Sequence, residues 1–215
     1  PQLIFCDSMS DLFGHWVPQE QITAVLQAMG EASHHTYQSL TKAPMQILKH
    51  LYGLPPNLWV GVSSPPTFMM GRELSERQQG RFLARTLDVL RKVKAISGNI
   101  CWMSLEPVAF DIAAYLNSEH PLDWVVIGAA SNGRKLFMPD VGHIERLLTL
   151  FDRTNTPVFF KGNLRPLVEQ QGWRWREDFP FFSAGVPIPA VIRRQENAVK
   201  YGWPLNEFAP IPFFE

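Results

Sequence analysis

Six short apolar runs in this sequence are each followed by polar side chains that can move protons or bind a ligand. Carboxylates, a lysine and hydroxyls are the groups that enzymes use for acid–base chemistry. In parallel α/β folds such groups meet at one end of the sheet, because every strand finishes at the same edge. The residues that follow the runs are Asp7, Ser8, Ser10 and Asp11; Thr41 and Lys42; Ser63 and Ser64; Ser104 and Glu106; Ser131 and Asn132; and Lys161 and Asn163.

Asp11, Glu106 and Lys161 form the predicted catalytic group, since carboxylates and an amine that face one cavity can transfer a proton. Asp11 and Ser10 can instead cap the turn that follows them. The remaining predicted site residues are assigned to ligand binding: Asp7, Ser8, Ser10, Thr41, Lys42, Ser63, Ser104, Ser131 and Asn132.

A more specific hypothesis concerns Lys161. A lysine that ends an apolar strand can have a lowered pKa and form a Schiff base with a carbonyl substrate. The alternative is that Lys161 pairs with a carboxylate such as Glu106. Both interpretations place the lysine at the end of the sixth run.

The apolar runs predict the strands of a parallel sheet. They are apolar on both faces, which is typical of strands covered by helices. The runs cover residues 3–6, 36–40, 58–62, 100–104, 124–127 and 158–160. No glycine-rich dinucleotide turn follows the first run, which disfavours a doubly wound nucleotide-binding sheet. The predicted fold is therefore α/β, a partial (β/α) TIM-like barrel with about six parallel strands.

Amphipathic helices are predicted between these strands. Apolar residues recur at the helical spacing of one buried stripe, and Pro18 stands where the first helix should start. The three stripes are Ile22, Val25, Leu26 and Met29; Leu83, Leu87, Leu90 and Val93; and Ile144, Leu147, Leu148 and Phe151.

The pattern changes near Gly172, so we divide the chain into a partial barrel, residues 1–171, and a C-terminal segment, residues 172–215. This segment is rich in aromatic residues and proline and contains a predicted helix over 190–201. An apolar segment of this kind should pack on something. We expect it to cover an open edge or the bottom of the barrel, or to form a dimer contact. Residues 173–176, Trp-Arg-Trp-Arg, fit a packed surface strand or, alternatively, nucleic-acid contact.

Composition excludes several classes of protein. Lys+Arg and Asp+Glu balance at 20 each, so no strong bias towards nucleic acid or an anionic membrane exists. Cys6 and Cys101 are predicted to be buried free thiols, which suits a reducing cytoplasm. No metal-binding motif and no membrane-spanning apolar stretch is visible.

The chain begins Pro1-Gln2-Leu3 without an initiator methionine, and we expect residues to precede it in the native protein.

Six blocks of the sequence resemble, in order, those of a phage-associated family of unknown function. The blocks are residues 5–13, 35–42, 57–63, 104–107, 122–128 and 157–161, and the resemblance covers about residues 3–163. That family is itself similar to radical S-adenosylmethionine enzymes. The resemblance implies a partial (β/α) barrel and a divergent or N-terminally truncated member.

The same resemblance implies a cofactor site that this sequence does not complete. Family members carry an upstream loop of three cysteines that holds a [4Fe–4S] cluster, and such clusters need thiolate ligands. We therefore predict no cofactor for the chain as given, and S-adenosylmethionine with [4Fe–4S] only if an upstream cysteine loop exists. The chain also departs from the family pattern after its third, fifth and sixth strands, where it reads Ser63-Ser64, Ala129-Ala130 and Gly162-Asn163.

Three functional hypotheses remain open. The first is a radical-S-adenosylmethionine-like barrel protein that lacks the cysteine loop in this chain. The second is a non-catalytic barrel that binds a small ligand or a partner, including a second copy that covers an open sheet edge. The third is a cofactor-free lyase that uses Lys161 with Glu106 or Asp11.

Overall fold

The computed structural model describes residues 2–69, 71–131 and 135–180. These residues form an α/β fold in which strands and helices alternate. In chain order the elements are β1 Leu3–Phe5, α1 Gln19–Glu31, β2 Thr36–Thr41, α2 Pro44–Ile47, β3 Leu58–Ser63, β4 Phe68–Met69, β5 Arg72–Glu73, α3 Glu76–Ser97, β6 Cys101–Leu105, β7 Trp124–Ile127, β8 Ala130–Ser131, β9 Leu136–Phe137, α4 Val141–Arg153, β10 Val158–Phe160 and α5 Arg165–Gln171.

A parallel sheet of six strands organises the fold, and it confirms the predicted partial barrel. The strand order is β1-β2-β3-β6-β7-β10, and every neighbouring pair is parallel. The sheet curls into a half-barrel. Because all six strands run in one direction, the residues that follow them share one edge, which we call the rim. The rim is the edge that carries Asp11, Lys42, Ser63, Glu106 and Lys161.

The two faces of the sheet have different partners. Side chains alternate between faces along a strand, so Leu58, Val60 and Val62 of β3 pack in the larger core with the helices. Trp59 points to the other side, where it joins a second cluster with Trp102 of β6. Within the part of the chain that the structure describes, the helices thus cover one face. The opposite face, which we call the inner face, is defined by Leu3, Phe5, Leu40, Trp59, Trp102, Trp124, Val126 and Phe159.

Two of the three predicted helix stripes are confirmed in full. All four apolar residues of the α3 stripe and all four of the α4 stripe are buried. In α1 the stripe is narrower than predicted, because Val25 is 37% exposed while Ile22, Leu26 and Met29 are buried. Pro18 is the N-cap residue of α1, as the sequence predicts. The helix α3 begins with a capping box between Ser75 and Gln78.

The chain beyond α5 runs along the outer edge of β10. Phe160 N donates to the Arg176 carbonyl (2.8 Å) and Asp178 N donates to the Val158 carbonyl (3.1 Å). Trp173 and Trp175 pack against the larger core. The predicted packing of residues 173–176 is therefore confirmed, but these residues form no strand, since the isolated bridge to Phe159 is made by Glu177. Nucleic-acid contact stays a prediction. The predicted helix over 190–201, and most of the predicted segment 172–215, lie outside the described residues.

None of the helices in the described part of the chain combines the length and the apolar character needed to cross a bilayer.

Candidate functional site

The Glu106 carboxylate is held by groups from two strands at the rim. Ser104 Oγ donates to Glu106 Oε1 (2.7 Å), and Lys161 Nζ lies 2.6 Å from Glu106 Oε2. The Glu106 and Lys161 side chains are each 15% exposed. The alternative interpretation of Lys161, pairing with Glu106, is confirmed. Two of the three predicted catalytic residues are therefore in direct contact.

Gly128, which follows β7, allows this ion pair to form. A Cβ atom at this position would lie 3.1 Å from Glu106 Oε2 and 3.1 Å from Lys161 Cδ. The neighbouring Asn163 ties the loops after β7 and β10 together, because its amide accepts from Ala129 N (3.1 Å) and donates to Ala129 O (2.8 Å). A Cβ atom at position 128 would therefore require these side chains to shift by a few tenths of an ångström.

Asp11 lies on the same edge of the sheet, but its carboxylate binds backbone amide groups. Its carboxylate accepts hydrogen bonds from Phe13 N (3.1 Å) and Lys42 N (2.8 Å). The residue is only 9% exposed. Both carboxylate oxygens are engaged, and they join the loop after β1 to the end of β2. This geometry supports a structural role for Asp11. The sequence analysis had left both a structural and a catalytic role open.

Replacing Asp11 with alanine is expected to lower the free energy of unfolding by about 2 kcal/mol, because two amide groups lose their acceptor. Urea denaturation followed by circular dichroism measures this change. The control is Ser10→Ala, at an exposed position in the same loop, which should change stability by less than about 0.5 kcal/mol. Equal stability of the two variants would contradict the assigned role.

Several of the predicted ligand-binding residues lie in exposed turns or already bind the local backbone. Asp7, Ser8 and Ser10 are exposed in the turn after β1, and burial together with the Asp11 charge raises the pKa of Asp7. Thr41 is buried and accepts from Ala43 N (2.9 Å), so its hydroxyl already caps the next turn. Ser131 is exposed in the β8–β9 hairpin, and Asn132 lies outside the described residues.

A cavity of about 410 Å³ opens beside Glu106. Its polar lining comes from Lys42, Ser63, Ser64 and Glu106. Its apolar lining includes Phe68 and Met69 of β4, Phe82 of α3, and the prolines 44, 65, 66 and 107. Thr86 of α3 also lines it, and its hydroxyl donates to the Phe82 carbonyl oxygen. This volume and this mixture of apolar walls with a few polar groups are typical of small-molecule sites. Three of the predicted ligand-binding or catalytic residues, Lys42, Ser63 and Glu106, therefore border one cavity.

Sequence reasoning missed the apolar wall of this cavity. Phe68 and Phe82 are 61% and 37% exposed. Neither lies in one of the six apolar runs or directly after one. The only sequence signal was the proline pair Pro65-Pro66 after β3, which predicts an irregular segment there.

The two cysteines do not fit a [4Fe–4S] cluster. Cys101 lies on β6 and is fully buried, as predicted, while Cys6 follows β1 and is only partly buried. Burial raises the pKa of the Cys101 thiol to about 12. Burial and the Asp7 charge raise that of Cys6 to about 11. Within the described residues no group of three metal-ligating side chains is present. With these pKa values neither thiol is deprotonated at neutral pH, so neither is suited to act as a thiolate ligand.

These pKa values predict slow alkylation of both thiols. At pH 8 the thiolate fraction of Cys6 is about 100-fold below that of a thiol with a pKa of 9.0. We expect iodoacetamide to modify Cys6 more slowly by this factor, and Cys101 only after unfolding. Mass spectrometry of timed samples measures both rates, with the urea-unfolded chain as control. Rapid modification of native Cys101 would contradict its burial.

The fold and the rim define the class of this protein: a parallel α/β half-barrel with a ligand-sized cavity at the carboxyl ends of its strands. Residues 1–166 match a family described as "Protein of unknown function (DUF5131)", and the chain belongs to this family. No curated protein matches the chain. The family match includes every strand of the six-stranded sheet and ends before the segment that runs along β10.

Proposed function

We propose that this chain is a radical-S-adenosylmethionine-like half-barrel that binds a small molecule of the S-adenosylmethionine type in the rim cavity. The observation that carries the proposal is the cavity itself, where one cation, two hydroxyls and an apolar wall converge beside Glu106. Such a ligand combines a carboxylate, sugar hydroxyls and a flat base. The lining offers one kind of partner for each of these groups.

Each lining group has a role in this proposal. Lys42 would bind the ligand carboxylate, because its ammonium group is the cation of the lining. Ser63 and Ser64 would hydrogen-bond the sugar hydroxyls, and the exposed Met69 and Phe82 side chains would pack against the base. Glu106 remains held by Ser104 and Lys161, so it forms a rigid acidic wall. No step through an iron–sulfur cluster is assigned to the described residues, since they do not fit one.

Isothermal titration calorimetry of the full chain with S-adenosylmethionine and S-adenosylhomocysteine tests this proposal. We expect saturable binding of at least one of them. Lys42→Ala should weaken it about tenfold, since a charge-assisted contact is lost. The matched control is Lys49→Ala, which replaces another exposed lysine that does not line the cavity. No heat of binding at millimolar ligand, or equal effects of the two variants, would refute the proposal.

Two further experiments separate this proposal from the other two hypotheses. A non-catalytic binding module would bind the ligand and return it unchanged after long incubation, which chromatography of the ligand shows. The lyase hypothesis lacks its own support, because the Lys161 amine is engaged in an ion pair with Glu106. Borohydride trapping of a carbonyl compound on Lys161 is its direct test.

A further inference from the structure

Gln79 is a polar residue that is buried in the first turns of α3. It is 2% exposed, although glutamine is normally found at the surface of proteins. A buried amide needs hydrogen bonds to offset its loss of solvation. The Nε2 atom of Gln79 donates to the backbone carbonyl of Pro66 (3.0 Å). This side chain therefore ties α3 to the loop that follows β3.

The Pro66 carbonyl lies at the start of the apolar wall of the rim cavity. Pro65 and Pro66 line the cavity, and Phe68 and Met69 of β4 follow them in the lining. A proline has no backbone N–H group. Hydrogen bonds can therefore hold the two prolines in place only through their carbonyl groups. The bond from Gln79 uses one of these two carbonyl groups.

The two ends of this wall are held by other contacts. At the upstream end, Ser64 N donates to the Ser104 carbonyl (2.8 Å), which joins the loop to β6. At the downstream end, Leu74 N donates to the Thr67 carbonyl (2.7 Å). Within the described residues, β4 pairs with β5 and with no strand of the six-stranded sheet. The hydrogen bond from Gln79 lies between these two ends and links the wall to α3.

The same helix lines another part of the cavity. Phe82 and Thr86 of α3 are both lining residues, and they follow Gln79 at three and seven positions along the helix. Residues at this spacing share one face of a helix. The amide that holds Pro66 and the side chains that border the cavity therefore lie on the same face of α3. The width of the cavity between β4 and α3 thus depends on the position of Pro66.

We propose that Gln79 is a positioning residue for the rim cavity. It is not among the lining residues, but it sets the distance between the β4 wall and α3. It thereby sets the affinity for a flat group that packs between Met69 and Phe82. This effect on affinity rests on the proposed function, whereas the position of the wall does not depend on which ligand binds.

Amide hydrogen exchange in the ligand-free full chain, measured residue by residue by NMR, tests how the wall is held. The variant Gln79→Met keeps the length of the side chain but removes the donor. We expect its Leu74 amide to exchange about fivefold faster than in the wild type, because one hydrogen bond that holds the wall is lost. Amides of α4 should exchange at unchanged rates, which shows that the chain stays folded.

Two further variants make the exchange measurement specific. Gln79→His supplies an imidazole N–H donor and should restore most of the protection of Leu74. The matched control is Gln27→Met, at an exposed position of α1, which should leave the exchange of Leu74 unchanged. Gln79→Ala replaces Gln79→Met if the latter does not fold.

Calorimetry with S-adenosylmethionine and S-adenosylhomocysteine tests the effect on the ligand. We expect Gln79→Met to bind about fivefold more weakly than the wild type and Gln27→Met, in line with the loss of one hydrogen bond. A residue that only stabilises the fold would not change the affinity of the folded protein. Gln79→His should bind nearly as tightly as the wild type.

Several results would overturn the proposal. One is equal exchange of Leu74 in Gln79→Met and the wild type, and another is an equal effect of Gln79→Met and Gln79→His. Faster exchange throughout α4 would also overturn it, because Gln79 would then support the whole fold. Unchanged affinity despite faster exchange of Leu74 would overturn the effect on the ligand. If the wild type bound neither ligand, the proposed function would fail, while the exchange rates would still decide whether Gln79 holds the wall.

Discussion

Replacing Gly61 with alanine is expected to lower the free energy of unfolding by about 3 kcal/mol or to prevent folding, because overpacking a rigid core is costly. An added Cβ would overlap the Trp102 indole and the Ser39 carbonyl oxygen. The indole fills the space that the missing side chain leaves above β3. The backbone oxygen belongs to the neighbouring strand β2, so it cannot move without separating the two strands. Chemical denaturation of the purified variant measures the loss.

A control and a second-site variant make this prediction specific. Gly53→Ala meets nothing within 4 Å and should change stability by less than about 1 kcal/mol. Adding Trp102→Leu to Gly61→Ala removes the clash with the indole but not the clash with Ser39. We therefore expect no more than partial recovery over Trp102→Leu alone. Wild-type stability of Gly61→Ala would show that the strands are not packed in this register.

Replacing Lys161 with methionine is expected to destabilise the chain by about 3 kcal/mol, since it leaves the Glu106 carboxylate partly buried without its cation. Ser104 would still donate a hydrogen bond to this carboxylate. The expected loss of stability is therefore smaller than for a buried charge with no partner. The double variant Glu106→Gln with Lys161→Met should recover most of the loss because no charge remains buried. Urea unfolding of the four proteins gives the coupling free energy of the pair.

The surface ion pair between Arg91 and Asp88 provides the matched control. Its side chains are 48% and 66% exposed, although its distance of 2.7 Å resembles that of the rim pair. Arg91→Met should therefore cost less than about 0.5 kcal/mol. If Lys161→Met were no more costly than Arg91→Met, the rim pair would be solvated rather than packed under Gly128.

The sequence allowed the strands and most helices to be predicted, because their periodicity reflects burial directly. In α4 every residue of the predicted stripe, from Ile144 to Phe151, is buried. In α1 the same pattern overstated the stripe: Val25 lies at its margin and is 37% exposed, while Ile22, Leu26 and Met29 are buried. Periodicity therefore predicts which side of a helix is buried better than how wide the buried side is.

The rim was predictable in outline only. Glu106 and Lys161 are both strand-end residues, so their meeting follows from a parallel sheet. The backbone role of Asp11 depends on where the amide of Lys42 lies after folding, which spacing does not encode. The apolar wall of the cavity comes from Phe68 and Phe82, which belong to a two-residue strand and to a helix surface. A two-residue strand leaves no periodic signal, and Phe82 lies outside the buried stripe of the long helix α3.

The short stretch of chain along β10 limits how molecules of this protein can associate by adding strands. A sheet with two open edges can extend indefinitely into a filament, whereas a sheet with one open edge can only pair once, around a two-fold axis. Here the antiparallel bridge between Phe159 and Glu177 occupies the β10 edge. In the described residues, the β1 edge is the one that carries no neighbouring strand. Among the described residues, backbone pairing between two copies would therefore use the β1 edge, where a two-fold axis closes the contact after a single pairing.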